Sequence, residues 1–203
     1  KETYRIFGLR FFINYGFKYV LSRFNPAKSV KRILEKHNVQ IVKLNHNINH
    51  HESIDIIKAY KPDLLISIAG NQIFKKELLE IAPKGCLNLH TALLPKYRGL
   101  MPSFWVLKNS EKETGVSVFF VDEGIDSGPI LVQKRIPITA EMTQASLIKL
   151  SKRIGMDAVL ESINLIEKGD YITMPNPEEE HTYYSFPTRQ DVITFCKAGK
   201  RFY

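Results

Sequence analysis

Residues 63–69 read Asp-Leu-Leu-Ile-Ser-Ile-Ala, a short apolar run with no polar alternation. Such a run suits a strand covered on both faces, as in a parallel sheet between layers of helices. Its flanks alternate in the same sense. A helix is expected over Val30–His37 with Ser29 as N-cap, then a strand over Val39–Leu44, then a helix over Ile54–Tyr60 that stops before Pro62. A short helix over Lys75–Ile81 leads to Pro83 and Gly85 and to a strand over Cys86–His90. Beyond a Pro/Gly-rich loop come a helix over Ser103–Asn109 and strands over Gly115–Asp122 and Ile130–Ile138.

The last long helix is marked by Leu147, Leu150, Ile154, Ala158, Ile163 and Ile166 near the 3.6-residue period, with a stop at Lys168–Gly169. Thr188 and Asp191 form a capping-box pattern for a terminal helix ended by Gly199. Asn176–Tyr184, with its Glu178–Glu180 run, reads as a solvated loop.

This order predicts an α/β domain, a doubly wound, mostly parallel, Rossmann-like sheet over residues 1–168, with a tail over 169–203 that carries a short helix. Such a sheet normally opens with a strand, a tight turn and a helix. Here the first 38 residues offer one helix, a turn at Asn25–Pro26 and a second helix. The sheet is therefore expected to lack its N-terminal strand–loop–helix. Gly8–Phe24 is apolar but interrupted by Arg10, Asn14, Lys18 and Arg23. It is too short and too charged to span a bilayer, and reads as an amphipathic helix packed on a core or a partner.

Lys and Arg number 29 against 21 Asp and Glu, a formal net charge of +8. That excess favours anionic partners such as nucleic acid or phosphorylated small molecules. Two cysteines, Cys86 and Cys196, exclude a disulfide framework and a CxxC metal motif, so a cytoplasmic location is expected. His46, His50 and His51 match no standard zinc spacing, and no metal site is expected.

The strand Cys86–His90 holds the chemistry. Alternate strand residues share a face, so Cys86, Asn88 and His90 point one way and Leu87 and Leu89 the other. A buried amide and imidazole need partners or a task. The segment Val121–Ile130 (VDEGIDSGPI) ends a strand and turns between Gly124 and Gly128, presenting Asp122, Glu123 and Asp126. Open α/β sheets place ligands beyond the carboxyl ends of their strands. An amide, an imidazole and a carboxylate converging there suit acyl transfer to an amine. The amide and the imidazole can donate to the oxyanion. The imidazole or the carboxylate can accept the amine proton. No covalent nucleophile is needed, and nothing basic besides His90 is seen to activate Cys86.

Three stretches, NLHTALLPKYRGLMPSFWVL, ETGVSVFFVDEGIDSGPIL and SIAGNQIFKKELL, resemble the formyltetrahydrofolate-dependent formyltransferase family. Its signature is Asn-x-His in a strand, a Leu-Leu-Pro loop and an Asp in a Gly-flanked loop, here Asn88, His90, Leu93–Pro95 and Asp126. The likeness is strong over Asp63–Ile138 and weak at the flanks. It implies that residues 1–168 are an N-terminally incomplete catalytic domain. It also implies N10-formyltetrahydrofolate as formyl donor. Asn88 would hold the formyl oxygen, His90 would stabilise the oxyanion and assist proton transfer, and Asp126 would orient His90 and take the amine proton through water.

The pterin would sit between Ser67–Phe74 and Val121–Ser127, with Gln72, Ile73, Phe74, Val121, Asp122, Gly124 and Ile125 as its walls. Lys96 and Arg98 are candidates for a substrate phosphate, whereas Phe104 and Trp105 read as packing. The resemblance implies a small amine acceptor, a nucleotide-linked amino sugar first and methionyl-tRNA second. The tail is too short for the β-barrel domain of the tRNA-modifying members. A homodimer is compatible with the pattern, and a membrane partner is not expected. A reading of another class is a non-catalytic folate- or nucleotide-binding module.

Overall fold

Four strands form the central sheet of the computed structural model, which describes residues 2–25 and 29–203. They are β1 (Leu65–Ile68), β2 (Cys86–His90), β4 (Glu113–Phe120) and β5 (Ile130–Pro137), in the order β1-β2-β4-β5. β1 and β2 pair in parallel, and β4 is antiparallel to both β2 and β5. Three of the four strands therefore run the same way and β4 runs against them. The α/β class and the mostly parallel sheet are as expected, with β4 as the exception. β4 and β5 are neighbours joined by the loop 121–129, and a hairpin-like return forces opposite directions.

Between β2 and β4 lie the two-residue β3 (Arg98–Gly99) and helix α6 (Pro102–Lys108). β3 pairs with β6 (Tyr183–Tyr184) in a separate small sheet. The long helix α7 (Gln144–Lys168) starts at a Thr143–Ser146 capping box and ends at Gly169, whose φ of +70° needs no strain in glycine. It packs on β2, β4 and β5. Its Gly155 lets Leu89 approach, since a Cβ there would stand 2.7 Å from Leu89 Cδ2. Leu87 and Leu89 therefore face α7, and Cys86, Asn88 and His90 face away. On that second face Ser117 of β4 donates to Ala92 O and accepts from Leu94 N–H, tying the loop after β2 to the sheet.

The main core gathers Phe104 and Trp105 of α6, Phe195 of α8 (Arg189–Lys197) and Phe202. Phe104 stacks on Phe195, and Trp105 stacks on Tyr184. Phe104 and Trp105 are packing residues, as expected. The Thr188–Asp191 capping box of α8 is present, as expected.

The N-terminal third departs further. Helix α3 (Val30–Lys36) has Ser29 as its cap, as expected. Helix α4 (His51–Ala59) begins three residues before its expected start, because the His50 ring accepts the Glu52 N–H. The helix expected at Gly8–Phe24 is present as α2 (Leu9–Arg23), preceded by an unexpected α1 (Glu2–Phe7). α2 buries no residue fully, and Phe12, Phe17 and Leu21 are exposed. Pro26 of the expected turn lies outside the described residues.

Residues 39–44 form no strand, and Val39, Ile41 and Val42 are exposed. A strand persists only by pairing. Among the described residues nothing pairs with the outer edge of β1. For the same reason β1 is not a doubly covered central strand, and Ile66 and Ile68 are 40% and 48% exposed.

Candidate active site

β2 ends at His90, and the β4–β5 connection brings Asp126 to it. His90 Nδ1 lies 3.4 Å from Asp126 Oδ2, with both side chains largely buried. His90 Nε2 lies 2.8 Å from the Tyr97 carbonyl. A carbonyl only accepts, so Nε2 donates there. The second ring nitrogen is left facing the carboxylate.

Asp126 Oδ2 also accepts the Gly99 N–H at 2.8 Å. Asp126 itself takes a φ of +50°, the left-handed region that a non-glycine residue rarely occupies. Gly128 is needed two residues on, because a Cβ there would fall 1.7 Å from the Phe120 carbonyl oxygen.

A cavity of about 310 Å³ opens beside this pair. Asn88 and Asp126 line it, whereas His90 is buried behind Asp126 and does not. The seven residues expected to wall a pterin, Gln72, Ile73, Phe74, Val121, Asp122, Gly124 and Ile125, all line it. The Asp122 carboxylate accepts from the Ser127 hydroxyl and the Gly124 N–H, which shapes the turn.

The opposite wall is braced from a distance. Gln72 Oε1 accepts the Ile48 N–H, Asn49 Nδ2 donates to Ile73 O, and Asn49 Oδ1 accepts the Lys75 N–H, each at 2.8 Å. The histidine-rich loop is thus more than solvated surface. It also brings one ligand atom each from His46, His50 and Glu52 within 4.8 Å of one another, with His46 Nε2 3.1 Å from a Glu52 carboxylate oxygen.

Lys96 and Arg98 stand elsewhere. Lys96 lines a second cavity of about 250 Å³ with Glu111, Glu113 and Arg135. Arg98 is 3% exposed and does not face either cavity. Its guanidinium donates to Glu178, to Asn176 Oδ1 at 3.1 Å and to Asn176 O at 3.2 Å. A buried cation already committed to Glu178 and Asn176 is not free to meet a phosphate, against the expectation for Arg98. Arg98 in turn holds the Glu178 carboxyl below its usual range by hydrogen bonding.

The Asn176–Tyr184 stretch is exposed over Glu178–Glu180, as expected of a solvated loop, but its two ends are tied to the domain. Tyr183 and Tyr184 pair with β3, and Asn176 reaches the Asp126 loop. No periodicity or motif flags Asn176, since its task is set by residues 50 positions upstream. The Cys86 thiol shares the Asn88 face but is buried, and burial pushes its pKa up to about 11. That suits an inert thiol, not a nucleophile.

Residues 16–163 match the model of the formyl transferase family. The chain is 35% identical over 164 residues to a methionyl-tRNA formyltransferase of Kosmotoga olearia, covering 81% of this chain and 52% of that protein. It is 41% identical over 135 residues to the one of Thermodesulfovibrio yellowstonii, covering 66% and 43%. The chain spans about half the length of these curated relatives.

Among solved structures, one similar chain is a sugar 3N-formyl transferase in the presence of dTDP and 5-N-formyl-THF. It shares 25% identity at a TM-score of 0.62, covering 78% of this chain and 53% of that one. Another is an N-formyltransferase from Helicobacter canadensis in complex with folinic acid and dTDP-3-aminofucose. It shares 25% identity at a TM-score of 0.63, covering 81% and 55%. Among the described residues no helix is long and apolar enough to cross a membrane. The family match over most of the chain, with the Asn of Asn-x-His and the glycine-flanked Asp at one cavity, places this chain in the formyl transferase family.

Proposed function

We propose that the protein of which this chain is part transfers a formyl group from N10-formyltetrahydrofolate to a primary amine. The observation that carries this reading is the joint presence of Asn88 and Asp126 on one cavity wall with His90 behind the carboxylate. In solved relatives that resemble this chain, a folate derivative is bound. The cavity residues fit such a donor. Backbone-rich segments at Gly70–Phe74 and Val121–Ile125 offer amides and carbonyls, and Ile73, Phe74 and Ile125 offer apolar surface for a flat ring.

Attack of the amine on the formyl carbon builds negative charge on the formyl oxygen. The Asn88 amide, which has no side-chain hydrogen bond among the described residues, donates to that oxygen. Asp126 takes the proton the amine sheds, directly or through water. The Tyr97 carbonyl fixes the His90 ring through Nε2–H, which leaves Nδ1 as an acceptor 3.4 Å from Asp126 Oδ2, placed to take a hydrogen bond once the carboxyl carries the proton. Collapse of the tetrahedral intermediate expels the folate nitrogen, which needs a proton, and the Asp126–His90 pair is placed to return it.

For the acceptor we put a nucleotide-linked amino sugar first, supported by the relatives that carry dTDP and dTDP-3-aminofucose. A second reading, methionyl-tRNA, is favoured by the 35–41% identity to methionyl-tRNA formyltransferases and by the net charge of +8. One assay separates them. The full protein is given N10-formyltetrahydrofolate with either dTDP-3-aminofucose or charged initiator tRNA, and mass spectrometry reads the product. Formyl-sugar alone supports the first reading, formyl-methionyl-tRNA alone the second. Formylation of neither, with folate bound, supports a binding module instead.

A further inference from the structure

Asp126 holds its backbone in a left-handed conformation, which costs free energy in a residue with a Cβ although Asp tolerates it better than most. Contacts around the loop therefore add to what keeps it there. The nearest glycines permit the turn, and the Gly124 N–H donates to the Asp122 carboxylate within it. Asn176, 50 residues later in the chain, donates from one amide nitrogen to both the Asp126 and the Gly128 carbonyls, each at 2.9 Å. Those two carbonyls straddle the point where the chain turns.

The amide can serve them in only one orientation. A carbonyl accepts and cannot donate, and a guanidinium donates and cannot accept. Arg98, buried and donating to Asn176 Oδ1 at 3.1 Å, therefore sets the amide's oxygen toward itself and its NH₂ toward the Asp126 loop. Glu178 stands on the guanidinium's other nitrogen.

We infer that Asn176, oriented by Arg98, is a positioning residue that sets the Asp126 carboxylate against His90 and the cavity. The inference rests on the reading of Asp126 as the proton acceptor, but its first test does not use turnover. Gly99 N–H donates to Asp126 Oδ2, whereas its neighbour Leu100 N–H donates to Tyr184 O in the β3–β6 pairing. The two amides thus report separately on the carboxylate and on the small sheet.

Amide hydrogen exchange is measured on the full protein and on Asn176→Ala and Asn176→Asp. Asn176→Asp keeps shape and an acceptor for Arg98 but removes both donors, so it serves if Asn176→Ala does not fold. The expected result is exchange of Gly99 at least about tenfold faster, with Leu100 unchanged. An unchanged Gly99, or a joint rise at Gly99 and Leu100, overturns the inference, the latter because Asn176 would then merely hold β3 to β6. With the acceptor identified as above, kcat should fall about 10–100-fold and KM for the amine should stay within about threefold, as for a displaced but intact acid–base group. A rise in KM at constant kcat also counts against it.

Discussion

The Asp126 carboxylate stands between the His90 ring and the cavity, so the carboxylate and not the imidazole reaches the cavity wall. A group in that place meets the amine first, and the buried ring acts through it. Asp126→Asn keeps the shape and the Gly99 hydrogen-bond acceptor but cannot take the amine proton. Turnover is expected to fall about 10²–10⁴-fold with little change in melting temperature. Steady-state kinetics beside a thermal melt checks both, and a variant with near-native kcat would show Asp126 to be structural.

Asn88 faces the same cavity from β2. Asn88→Ala removes the donor aimed at the developing oxyanion. The expected loss is about 10²–10³ in kcat, with a smaller change in KM, because the bond strengthens only as charge develops. The two parameters are read from the same saturation curve.

Gly128 passes so close to the Phe120 carbonyl that no side chain fits. Gly128→Ala must push the 121–129 loop away from β4, and Asp126 with it. We expect a folded protein of reduced stability with weakened binding of the proposed folate donor. Titration with tetrahydrofolate by calorimetry measures this, and unaltered binding would show that the loop has room to yield.

Burial raises the Cys86 pKa from 9.0 to about 11. The sign follows from linkage: a thiol that stays protonated when folded and ionises when unfolded favours the unfolded state as pH rises. Stability attached to Cys86 is therefore complete below about pH 9 and drains away as pH climbs through about 11. Thermal melts across that window should slope downward more steeply for the native chain than for Cys86→Ala. Parallel slopes would mean the thiol is better solvated than its place in β2 suggests.

Phe104 is fully buried and stacks on Phe195. Phe104→Ala should cost about 3–5 kcal/mol through lost burial and an unfilled cavity. Denaturant unfolding gives the number directly, and a cost below about 1 kcal/mol would mean α6 and α8 can close the gap.

The site was legible in the sequence wherever neighbours along the chain decide it. Asn88 and His90 share a face because strands alternate, and Asp126 is marked by its flanking glycines. The cavity walls at Gln72–Phe74 and Val121–Ile125 follow from loops at strand ends. Arg98 misled because a cation beside a predicted site looks free until its partners are known, and those partners, Asn176 and Glu178, lie about 80 residues away. Asn176 was invisible for the same reason. Val39–Leu44 misled differently: its residues suit a strand, but a strand also needs a neighbour, and hydropathy carries no information about one.

The pairing of β3 with β6 joins residues 98–99 to 183–184, and Thr182 Oγ1 accepts the Tyr97 N–H across 85 positions. Contacts this distant in sequence carry a larger loop-closure cost than those between neighbouring elements. As the chain emerges from the ribosome, every residue of the four-stranded sheet and of α7 is present before residue 176 appears. The scaffold is therefore early and the clamp on the Asp126 loop is late. A nascent chain stalled at α7 would carry the residues of its sheet and its Asn-x-His strand, yet lack the Asn176 amide that ties down the Asp126 loop.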